Sequence, residues 1–149
     1  MRFFSNKLFL VLILLCTFYT NAQDYLMTLK STEIKFLEKE AKKFGGETLI
    51  NDGTYTYIHE GSEVEVIYQG DQHYEFYNDK RHFIKSKLFW VAKDIVYLTI
   101  EDFSVPDFPF KIGTTTKIEI TKKEKDFVYY KSTLGGRTWM GKMKKINLL

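Results

Sequence analysis

Residues 54–78 read TYTYIHEGSEVEVIYQGDQHYEFYN, and the way this stretch folds decides the class of the whole chain. Three short runs, Thr54 to His59, Glu63 to Tyr68 and Gln72 to Asn78, are rich in β-branched and aromatic residues and are separated by Gly61-Ser62 and Gln69-Gly70-Asp71. Small and polar residues at such breaks favour tight turns, so the spacing predicts consecutive hairpins. Val64, Val66 and Tyr68 share one face while Glu63 and Glu65 take the other, the alternation of a half-buried antiparallel strand.

The pattern continues on both sides. Asn51-Asp52-Gly53 makes a turn out of a preceding strand at 48–50. Downstream, Phe83 to Ala92 sets Ile84, Ser86, Leu88 and Trp90 on one side and Lys85 and Lys87 on the other, and Lys93-Asp94 turns the chain into Ile95 to Ile100. Strands follow at Thr115 to Thr121, Asp126 to Ser132 and Arg137 to Lys145, with turns at Lys122 to Lys125 and Leu134-Gly135-Gly136. One helix precedes them at about 32–44. Ile34, Leu37, Ala41 and Phe44 recur at spacings of three and four, Ser31 or Thr32 caps the start, Glu38 and Lys42 form an i,i+4 pair, and Gly45-Gly46 ends it.

This is a mainly β chain of about nine strands in up-and-down order. So many strands must protect their edges, and closing into a small barrel removes them altogether. The alternative is an α+β arrangement, an open antiparallel sheet with the helix across one face, since the helix has an apolar stripe to bury. Leu37, Phe44, Val66, Leu88, Trp90 and Leu98 are the expected core.

The first 22 residues read differently. An apolar run from Leu8 follows Arg2 and Lys7 and ends in Thr20-Asn21-Ala22, the composition of a secretory signal peptide, too short for the roughly 20 residues of a spanning helix. Cleavage after Ala22 leaves residues 23–149 as one β-rich domain, periplasmic or extracellular, with no integral membrane segment. The only cysteine, Cys16, lies in the leader, and bulky Leu15 before it argues against lipid anchoring there. Losing Arg2 and Lys7 lowers the formal charge from +3 to +1, so nucleic acid is not an expected partner. Residues 23–110 carry 10 Lys/Arg against 16 Asp/Glu and residues 111–149 carry 10 against 3, a division that can pair with itself.

Size, leader and hairpin order resemble the lipocalin-like, or calycin, group of ligand-binding barrels and, more loosely, small exported bacterial proteins. The likeness is one of architecture, for the Gly-x-Trp of the first lipocalin strand is absent. On the last strand Arg137-Thr138-Trp139 is similar to the Arg-x-aromatic pair with which intracellular fatty-acid-binding proteins hold a carboxylate. The resemblance implies a barrel with a small apolar or amphipathic guest.

Six residues are candidates for contact with such a guest: Arg137, Trp139, Phe103, Phe108, Phe110 and Trp90. Arg137 and Trp139 lie two apart on a strand, hence on one face; in a lumen they would clamp an anion beside an aromatic wall, and otherwise they stack structurally. Residues 103–110, Phe-Ser-Val-Pro-Asp-Phe-Pro-Phe, contain both prolines and so form a loop, either an apolar lip or a plug at a barrel end. Alternating tyrosines such as Tyr55 and Tyr57 make a binding platform if they face out, and cross-strand packing if they face in. His73 and Glu75 share a strand face with His59 one hairpin away, but the spacing is not that of a metal site, and no cofactor is expected. No nucleophile elbow, phosphate loop or zinc-protease helix is present, so the expected activity is non-enzymatic binding. The alternative is a protein-binding module or inhibitor that uses aromatic sheet faces and the Phe-rich loop.

Overall fold

Turn residues set the frame. The computed structural model describes residues 31–146, and within them backbone conformations with positive φ recur where strand must reverse into strand, at Glu60-Gly61, Asn78 to Lys80, Lys125 and Gly135-Gly136. Between these reversals run eight strands: β1 (Gly53–His59), β2 (Ser62–Gln69), β3 (Gln72–Tyr77), β4 (His82–Ala92), β5 (Ile95–Phe103), β6 (Thr115–Glu124), β7 (Phe127–Leu134) and β8 (Arg137–Ile146). Each pairs antiparallel with the next, and β1 also pairs with β8 through Thr54–Ile146, Tyr55–Lys145 and Thr56–Lys144. The sheet is a closed eight-stranded barrel, not an open one. The expected leader and its Cys16 lie outside the described residues.

Closure gives every strand an inner and an outer face. Val64, Val66 and Tyr68 of β2 and Ile84, Ser86 and Leu88 of β4 point inward and are buried, as their alternation requires. They meet Val96 and Leu98 of β5, Ile118 and Ile120 of β6, Val128 of β7 and Met143 of β8 in a single core. Tyr55 and Tyr57 also face in, Tyr55 only 1 % exposed, so the alternating tyrosines pack inside rather than forming an outer platform. On the outer face Tyr74 and Phe76 of β3 stack with ring centroids 6.1 Å apart.

The ninth strand expected at 48–50 is absent. Leu49 donates one backbone hydrogen bond to Lys93 O at 2.8 Å, and Ile50 is buried in the core, so this segment crosses the base of the barrel and seals it instead of joining the ladder. Trp90 packs against the same core, while Phe44 is half-buried. Helix α1 (Ser31–Lys43) lies outside, against β4. There Leu37 and Phe89 are buried, and Glu38 pairs with Lys87 at 3.3 Å rather than with Lys42. Glu40 pairs with Lys43 at 2.6 Å. β5 and β6 extend past their expected ends because irregularities between Lys85 and Ser86 and between Ile120 and Lys122 admit extra residues without breaking the pairing. Pairs such as Lys80–Glu65 and Lys85–Glu101 fall within the acidic part of the chain, and Lys131–Glu119 and Lys122–Glu124 within the basic part, so these contacts do not join the two. No helix among the described residues is long and apolar enough to cross a membrane.

Because Leu88 is inward and buried at the centre of this core, Leu88→Ala is expected to lower unfolding stability by about 2–5 kcal/mol, measured by urea denaturation. A loss below ~0.5 kcal/mol would contradict the assignment of the β4 faces.

Candidate functional site

Up-and-down order sends the hairpins β1–β2, β3–β4 and β7–β8, and the long β5–β6 connection, to the same end of the barrel. That end is open. Behind it lies a lumen of about 460 Å³, and in front of it a vestibule of about 550 Å³. The long connection forms one lip. Phe103, Phe108 and Phe110 pack ring on ring, with centroids 4.9 and 5.4 Å apart, and are half-buried while Pro106, Asp107 and Pro109 stay exposed. Its first half is tied to β4: Ser104 N donates to Phe83 O, Phe83 N donates to Ser104 Oγ, and His82 Nδ1 lies 3.0 Å from Ser104 O. Its second half is tied to β5, where Gly113 N donates to Ile100 O and Ile100 N donates to Thr114 O.

Phe108, Phe110 and Trp139 line the lumen, and Phe103 backs Phe108. Trp139 is 48 % exposed and its neighbour Met140 69 %. Arg137 shares the face of Trp139, opposite Leu134, but it begins the strand at the rim; it is exposed and is not among the residues lining the lumen. Trp90 packs into the core and lines neither the lumen nor the vestibule. The structure therefore brings Trp139, Phe108, Phe110 and Phe103 together and leaves Arg137 and Trp90 apart.

Deeper in the lumen the walls turn polar. Tyr57 Oη and Tyr77 Oη both donate to Glu75 Oε2, at 2.7 and 2.5 Å, and lie 3.1 Å from each other. Below them a recess of about 40 Å³ is bounded by Tyr68, His73, Glu75, Tyr130 and Met143 among others. Tyr130 reaches in from β7 across Gly141 of β8; a Cβ at that glycine would collide with its ring, so only glycine leaves Tyr130 this position. Burial first, and Glu75 second, push the phenols of Tyr57, Tyr68 and Tyr77 well above their usual range and that of Tyr130 to about 12, which keeps all four protonated and able to donate. Burial likewise holds the His73 imidazole below its usual range, against an opposing pull from Glu75.

The sequence pairs His73 with Glu75 on one face; it offers Tyr57 only beside Tyr55 and does not join Tyr57 or Tyr77 to that group. The signal was available: with Val64 and Val66 facing in, Tyr57 and the odd-numbered residues of β3 face in as well. His59 is exposed near the mouth, 6.3 Å from the Tyr77 ring, and His82 is held by the loop. Among the described residues no three His, Cys, Asp or Glu side chains converge as metal ligands would.

Comparison with family models, curated proteins and solved structures yields no match. What the barrel does must therefore be argued from its own geometry.

Buried and held neutral, His73 gives stability a specific pH dependence. The unfolded chain takes up a proton near pH 6.5 that the folded chain resists, so stability is complete above that pH and declines as pH falls below it. The urea midpoint is expected to drop as pH falls below roughly 6.5, and His73→Gln to flatten that part of the profile. An unchanged slope in the variant would assign the loss to other groups.

Proposed function

We propose that this chain is a non-enzymatic, exported binding protein that holds a small amphipathic or apolar guest in the barrel lumen. The observation that carries the reading is the lumen itself: about 460 Å³, open at one end, aromatic at the lip and polar at the floor. That volume lies in the range of small-molecule pockets, and an apolar wall with a few convergent polar groups is their usual composition. The closed eight-stranded meander is consistent with a lipocalin-like barrel, and the reading takes that group's use of the lumen as its model. Export rests on the Leu8–Ala22 segment, which on this reading is removed to leave Gln23 at the start.

A second reading, a protein-binding module, is supported by exposed Ile112, Trp139 and Met140 near the open rim. The two differ in stoichiometry and in what saturates them.

Titration with the neutral apolar fluorophore N-phenyl-1-naphthylamine separates them. Saturable one-to-one binding is expected, with Phe108→Ala and Trp139→Ala each weakening it by about 1–2 kcal/mol, or roughly five- to thirtyfold, through lost apolar contact. Absence of saturable binding in the parent protein would move the weight to a protein partner at the rim.

A further inference from the structure

Resting on the reading of the lumen as a ligand chamber, we propose that the guest carries a cationic ammonium head, received by Glu75 at the recess below Tyr57 and Tyr77. Three independent observations carry this. The first is the hydrogen-bond pattern. Two phenols, Tyr57 and Tyr77, donate to the same oxygen, Oε2, and satisfy that side of the Glu75 carboxyl group. Oε1 receives no such donor, its nearest partner being His73 Nε2 at 3.8 Å. One side of the carboxylate is anchored and the other is presented.

The second is the absence of a counter-charge. Among the described residues no Lys or Arg lines the lumen or the recess, and burial holds the imidazole of His73, beside Glu75, below its usual range and so favours its neutral form. A carboxylate in such a place is stabilised only in part by neutral donors, and a guest cation completes it. The rings of Tyr57, Tyr68 and Tyr130 line the recess, aromatic surroundings of a kind that cations favour. At about 40 Å³ the recess exceeds the roughly 10–15 Å³ that one water requires, enough for an ammonium group and the start of its chain.

The third is the route in. Glu60, Glu63 and Asp107 line the vestibule, again with no Lys or Arg among the described residues, although the whole chain is formally positive. From mouth to recess the ionisable groups that line the path among the described residues are carboxyl groups, tyrosines and the histidines His59, His82 and His73. These lining carboxylates favour a cation over a fatty-acid carboxylate along the path itself, inside the rim on which Lys80, Arg81 and Arg137 stand. Arg137, the cation that would have received an anion, stands outside this path.

The test is competition against the same neutral fluorophore by octylamine, 1-octanol and octanoate at pH 7, using the purified full chain. Chain length is constant, so only the head group varies. Octylamine is expected to bind roughly tenfold or more tighter than octanoate, with octanol between, and Glu75→Gln to abolish the advantage of the amine while leaving octanol within about twofold. The parent ranking needs no variant, so poor folding of Glu75→Gln does not remove the test. Octanoate equal to or better than octylamine, or an unchanged amine affinity in a folded Glu75→Gln, with octanol still bound, overturns the ammonium assignment and leaves the chamber reading standing. If neither the fluorophore nor any of the three binds saturably, both fall together.

Discussion

The pairing of β1 with β8 is the constraint on which everything else depends. Three residues of each strand meet there, Thr54 to Thr56 against Lys144 to Ile146, and without them the meander would be an open sheet with two exposed edges. Closure turns a two-faced sheet into a surface with an inside. It is what makes Val66 and Met143 neighbours although they lie far apart in sequence, and what turns the inward polar residues of β1 and β3 into the floor of a chamber.

Within that frame the barrel is divided along its axis. Toward the base the inward positions are aliphatic or aromatic and the space is filled, with Ile50, Tyr55 and Val96 almost inaccessible. Toward the mouth the same strands carry Ser86, Thr116, Ser132 and the Glu75 group, and the space stays open. A packed half supplies stability, so the open half can keep a polar carboxyl group and unfilled volume that would be costly in a uniform core.

The strand pattern was legible because period-two alternation is a local property. Val64-Val66-Tyr68 and Ile84-Ser86-Leu88 reveal their faces without reference to any partner, and Gly61, Gly70 and Gly135-Gly136 mark the reversals. The segment 48–50 was misread because three residues cannot show whether they join a ladder or lie across its end; only the Lys93 carbonyl, far along the chain, decides that. Arg137 shares the face of Trp139, but its depth is not fixed by the sequence. Alternation fixes which way a side chain points and says nothing about how far along the barrel it stands, so a rim residue and a floor residue look alike. Glu75 was hidden for the converse reason. Its significance lies in Tyr57 and Tyr77 donating to one oxygen, a convergence that requires the register of β1, β2 and β3 together.

The sealed base has a kinetic meaning. Among the described residues Leu49 and Ile50 leave the chamber a cup with one orifice, so a guest of the kind proposed would enter and leave by the same path, past Phe108, Phe110 and Trp139. Whatever end reached the floor would go in first and come out last, and it would shed its hydration in the aromatic throat. The width of that throat would then govern how fast exchange occurs, while the floor would govern how far the equilibrium lay toward the bound state. The loop that narrows it is hydrogen-bonded into β4 and β5 at both ends, so on the proposed reading residence time and affinity would be set by different residues of the same barrel.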